Sequence, residues 1–163
     1  MNSAHAHLIL NHIPVIGLWL SVIVLAIGLL KKSEEIKKLS LMLFVIVALI
    51  MIPTYLTGEP AEEIIERLPG ISHDLIERHE EAALPAAIVV AILGVVALFG
   101  VIRARGGAIV PSWVVMASLV LSLIGGGMMA WTAHLGGQIQ HPETRPGFQL
   151  PAEGPATSHN EDY

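Results

Sequence analysis

Four long apolar runs leave this chain very few ways to fold. They cover residues 13–30, 39–56, 82–102 and 108–133, and nearly all the charged side chains fall between or beyond them. Each run has about 18 to 26 residues, and a helix needs about 20 to cross a hydrocarbon layer near 30 Å thick. Charged residues make up 14% of the 163 residues, against roughly 25% in a soluble domain. The shortfall is concentrated in the four runs, which is the pattern of membrane-spanning helices rather than of one apolar globule. A cleaved signal peptide would carry a basic segment before its apolar core. Residues 1–11 hold no Lys or Arg, so the first run reads as a retained span.

Charge also orients the spans. The segment after the first run, Lys31-Lys32-Ser33-Glu34-Glu35-Ile36-Lys37-Lys38, carries four lysines, and Arg103 and Arg105 follow the third run. Both segments fall on one side, which the positive-inside rule assigns to the cytoplasm. The expected fold is an all-α membrane protein, an antiparallel bundle of four transmembrane helices with both termini outside. Residues 1–141 form the bundle, and 142–163, rich in Pro, Gly and polar residues, form a flexible or partner-docked tail. The outer loop 57–81 predicts a short amphipathic helix over 60–68, a turn at Pro69-Gly70, and Ser72 capping a helix into the third span. Pro14, Pro53 and Pro85 lie near the outer ends of their spans. Each removes a backbone donor, so the outer end of the bundle is expected to be kinked, with carbonyls left for neighbours to satisfy.

All eight histidines lie on the side opposite the lysines. Of the fourteen acidic residues, all but Glu34 and Glu35 lie there too. Loop length explains part of this bias, and His5, His73 and His159 read as ordinary surface residues. His12 is different, because it abuts an apolar span, where an ionisable group is costly and usually partnered. His12 lies about 28 Å along a helix from Lys31, and His79 and His134 come out slightly higher by the same arithmetic.

Neutral imidazole is the axial ligand of b-type haem and a common metal ligand. His12 with His79 satisfies the depth condition for a bis-histidine haem between two helices, as does His12 with His134. Gly17, Ala82, Ala83, Ala86, Ala87 and Gly125-Gly126-Gly127 are small enough to admit a flat macrocycle, although such residues also pack bare membrane helices. The rival is a non-haem site for Zn, Fe or Cu drawing on His7, His12, Glu59, Glu62, His79, Glu80 and His141; haem does not need the glutamates, and a bare ion would use them. A third reading is a cofactor-free accessory subunit of a larger membrane complex, or a homo-oligomer. The absence of cysteine excludes disulfides, thiolate metal sites and covalent c-type haem. A net charge of −5 gives no basis for nucleic-acid binding. No nucleophile–base, phosphate-loop or dinucleotide motif is present, so the chain does not read as an enzyme on its own.

Four segments taken in order, His7-Leu8-Ile9-Leu10-Asn11-His12-Ile13-Pro14, Thr57-Gly58-Glu59, Glu77-Arg78-His79-Glu80 and His134-Leu135-Gly136-Gly137-Gln138-Ile139-Gln140-His141, resemble an uncharacterised bacterial family of small four-span membrane proteins. More distantly they are similar to a larger family of unknown function with a His-rich motif before its first span and a Leu-Gly-Gly…His motif after its last. The resemblance covers residues 7–143. It implies a bacterial inner-membrane location with the termini on the periplasmic side. It also ranks His7, His12, His79 and His141 above the other histidines, since the family often carries asparagine at the His134 position. His7 and His12 are five apart, so on one continuous helix they diverge by about 140°; only a break at Asn11-His12 would bring both to one site. The sequence reading is therefore a b-type haem or related redox-metal membrane protein in respiratory or periplasmic electron transfer. His12 and His79 are its first ligands, and His7 and His141 serve a second site or support the first.

Overall fold

The computed structural model describes residues 2–149. The sequence reading of the tail beyond residue 149, including His159, lies outside the described residues. Every regular element among the described residues is helical: α1 (Ser3–Leu30), α2 (Glu34–Leu56), α3 (Gly58–Ile65), α4 (His73–Arg103) and α5 (Ser112–Gln140), with short 3₁₀ turns at Arg105–Gly107 and Pro142–Thr144. Four helices are long and apolar enough to cross a membrane: α1, α2 running on into α3, α4 and α5.

Local chemistry sets the ends. Asn2 caps α1 by accepting from the His5 amide at 2.9 Å, so the helix begins well before its apolar run. Ser72 caps α4 through the Leu75 amide, as its position predicted. The short helix α3 starts earlier than expected, with Pro60 in its first turn, where a missing N–H costs nothing. At α5 the expected start at residue 108 moves to Ser112. Pro111 disfavours helical backbone in the residue before it, and the chain stays extended into the helix. Gly106 and Gly107, at φ of +67° and +85°, turn the chain between α4 and α5.

The helices form a ring: α1 packs on α2, α2 on α4, α4 on α5 and α5 on α1, while α1 and α4 face each other across the diagonal. Leu18, Leu25, Leu41, Phe44, Val90, Leu93 and Val114 fill the axis. At Gly94 an added Cβ would collide with the side chain of Ala48, so glycine there lets α2 and α4 approach closely. Gly125 and Gly126 lie against Val89 and Trp19, which gives two of the small residues a helix-packing role. Four serines, Ser21, Ser40, Ser118 and Ser122, are buried in the bundle, and Ser40 donates to the Ser21 carbonyl across the α1–α2 contact at 3.0 Å. Large apolar side chains such as Leu20, Leu49 and Val95 point outward instead.

Each helix runs on through its proline. Pro14 removes the donor that would serve the Leu10 carbonyl, and the Thr54 hydroxyl of α2 lies 3.5 Å from that oxygen while donating mainly to Ile50 at 2.9 Å. At the lysine end, Glu34 accepts from the Val110 amide at 3.0 Å and from Lys37 at 2.8 Å, tying the start of α2 to the approach of α5.

Candidate functional site

Because α1 is one unbroken helix from Ser3 to Leu30, His7 and His12 diverge around it. Only one can face the bundle axis, and it is His7. Its Nδ1 lies 3.1 Å from the Thr54 carbonyl and 3.2 Å from the Thr57 hydroxyl, at the α2–α3 junction. His12 is exposed and turns back on its own helix, with Nδ1 2.8 Å from the Leu8 carbonyl. The pairing inferred from depth alone, His12 with His79, therefore gives way to His7 with His79.

His79 enters from α4. Its Nδ1 lies 2.9 Å from the Thr132 carbonyl of α5, and its ring lies against Gly136, where an added Cβ would come within 3.0 Å of Cε1. Glycine at 136 makes room for the imidazole. The His7 and His79 rings meet across the bundle diagonal, with centroids 6.5 Å apart and planes at 88°.

The hydrogen bonds define what each ring offers. A carbonyl oxygen only accepts, so Nδ1 carries the proton in both residues. In the neutral ring this leaves Nε2 with a free lone pair, the arrangement of metal-ligating histidines anchored through the other nitrogen.

Sequence reasoning missed Asn11. It lies four residues from His7, hence on the same face one turn further into the bundle. Its Oδ1 is buried and has no hydrogen-bond partner. A polar residue at that spacing from a histidine, inside an apolar helix, is the signal that could have found it. Like the two Nε2 atoms, the Asn11 Oδ1 is an acceptor with no hydrogen-bond partner among the described residues.

Two carboxylates also come together at this end. Glu62 of α3 and Glu80, next to His79 on α4, are within hydrogen-bonding reach of one another. Glu62 lies beyond the apolar part of α2; partial burial first, then the Glu80 carboxyl and the charges of Glu66 and Glu59, push it up to about 7. Glu59 is exposed. The Ser3 hydroxyl donates to the Pro60 carbonyl at 2.7 Å, which fastens α3 against the start of α1.

The remaining histidines stand apart. His141 is exposed and pairs with Glu143 at 2.9 Å. His73 pairs with Glu66 at 3.0 Å. His134 stacks on Trp131, centroids 5.6 Å apart, and accepts from the Gln138 amide at 3.1 Å. Among the described residues, no three His, Asp or Glu side chains are grouped so as to hold a metal ion. The seven residues of the bare-ion reading are thus not drawn into one cluster there. Comparison with protein-family models, curated proteins and solved structures returns no match, so the family resemblance rests on its motifs alone.

Proposed function

We propose that this chain is a four-span redox protein of the bacterial inner membrane that holds b-type haem between His7 and His79. The observation that carries the reading is the pair itself, two imidazoles from diagonal helices with Nδ1 anchored and Nε2 free. Haem asks for two protein ligands, because the macrocycle supplies the other four nitrogens. His7 and His79 would hold the group from its two sides, and their ring centroids stand 6.5 Å apart in this structure. When bound, haem supplies one-electron chemistry. The chain holds each ring in place: the Thr54 and Thr132 carbonyls accept from Nδ1, fix ring orientation and make Nε2 a stronger base.

The membrane assignment is supported by the outward-facing apolar side chains and by the separation of lysines from histidines at the two ends. By the positive-inside rule the histidine end is periplasmic, with both termini there.

A second reading has its own observation. The orphaned Asn11 oxygen favours a bare Zn, Fe or Cu ion held by His7, His79 and Asn11. One preparation separates the two. The protein purified in mild detergent is examined by visible spectroscopy with and without dithionite, and by elemental analysis. A Soret band with α bands that sharpen on reduction supports haem. Stoichiometric metal without a Soret band supports the bare ion. Neither signal in a folded sample supplied with cofactor ends both readings.

A further inference from the structure

A second feature of the histidine end lies one helix face away from the imidazole pair. Arg78, Glu81 and Ala82 share a face of α4, at spacings of three and four, and Trp131 and Leu135 share a face of α5. Together they line a groove of about 240 Å³. His79 and its partners Thr132 and Gly136 follow these residues by one position, so the pair uses the adjacent face of the same two helices.

The groove has an apolar floor and two opposite charges. Leu135 is buried, whereas Trp131 is 59% exposed. Arg78 and Glu81 are three residues apart on one helix, yet among the described residues the ion pair of Arg78 is with Asp74, Nε to Oδ2 at 3.0 Å. Arg78 and Glu81 therefore line the groove without forming an ion pair with each other. The groove also lies where two apolar runs end, at residue 82 on α4 and residue 133 on α5. In a spanning bundle that is the depth of lipid headgroups, where tryptophan concentrates.

A ligand complementary to this surface carries an anion and a cation a few atoms apart and an apolar body beneath them. Guanidinium suits a phosphate, and a carboxylate suits an ammonium that has N–H groups to donate. A glycerol headgroup has no cation for Glu81. A choline headgroup has the charge and can approach the Trp131 face, but it has no N–H to give the carboxylate. We propose that this groove holds the headgroup of one phosphatidylethanolamine molecule, its phosphate on Arg78 and its ammonium on Glu81. The site depends on the four-span reading and is independent of what the histidine pair binds.

The test uses the full chain in mild detergent, titrated with short-chain phosphatidylethanolamine, phosphatidylcholine and phosphatidylglycerol and followed by native mass spectrometry. Ethanolamine lipid binds at least about fivefold more tightly than the other two. Glu81→Gln brings it down to their level, and Arg78→Gln weakens all three. Both positions are exposed, and circular dichroism checks that helix content is kept. Equal binding of the three lipids, an undiminished ethanolamine preference in Glu81→Gln, or no lipid retained by the wild type would each overturn the site.

Discussion

The imidazole of His7 meets that of His79 edge-on, 6.5 Å between centroids, although α1 and α4 are diagonal in the bundle and pack chiefly on α2 and α5. The contact is made possible by two carbonyls, Thr54 and Thr132, that hold each ring from a neighbouring helix.

Under the proposed function, replacing either axis-facing ring would remove a ligand, whereas His12 is exposed on the outer face of α1. His7→Ala and His79→Ala each lower bound cofactor at least about tenfold, read as Soret absorbance or metal per protein. His12→Ala and His141→Ala leave it unchanged. Loss of cofactor in His12→Ala with retention in His7→Ala would reverse the assignment.

Gly136→Ala places a methyl group 3.0 Å from His79 Cε1 and 3.2 Å from Nδ1. The ring must give by a few tenths of an ångström, which strains its hydrogen bond to the Thr132 carbonyl. Overpacking of this kind costs about 1–2 kcal/mol, measured by thermal unfolding in detergent, and it also reduces cofactor content. Gly137→Ala, with open space at its Cβ position, does neither.

Asn11→Leu separates the two cofactor readings. It removes a buried acceptor that lacks a partner, so the cofactor-free protein gains about 1 kcal/mol of stability. Haem content is retained under the first reading. Under the second, zinc or copper affinity falls more than tenfold, measured by titration calorimetry.

The Glu62–Glu80 contact gives a pH dependence of definite sign. The Glu62 carboxyl rises from 4.5 to about 7 in the folded protein, so folding favours its protonated form. Its contribution is complete below pH 4.5 and is lost as pH rises through about 7. Melting temperature should therefore fall across that interval in the wild type and fall less in Glu62→Gln. An identical pH profile in the two proteins would show that the carboxyls do not share a proton.

The architecture was legible in the sequence because its signals are local. Run length gave the four long helices, Ser72 announced the start of α4, and the proline of α3 marked its first turn. Pro111 is a local signal too: it keeps the chain extended, so α5 starts at Ser112 although the apolar run starts at residue 108. The site was less legible, since depth along a helix is easily counted but rotation about it is not. His12 and His79 match in depth, yet rotation puts His7 on the axis, and that depends on whether the chain breaks at Asn11. It does not break, because the Asn2 cap starts a helix that carries through Pro14. Asn11 is not legible in the sequence because an asparagine in an apolar helix matters only through the face it lies on.

The diagonal placement of the histidine pair has a mechanical consequence. Helices α1 and α4 are coupled mainly through their neighbours, so a link between His7 and His79 ties together two helices that otherwise pack on others. Under the proposed function, a group held by both Nε2 atoms would act as a crossbar between them. Loading the site would then mark the chain as finished: a filled bundle resists proteases at residues 57–72, and an empty one exposes that segment to cleavage.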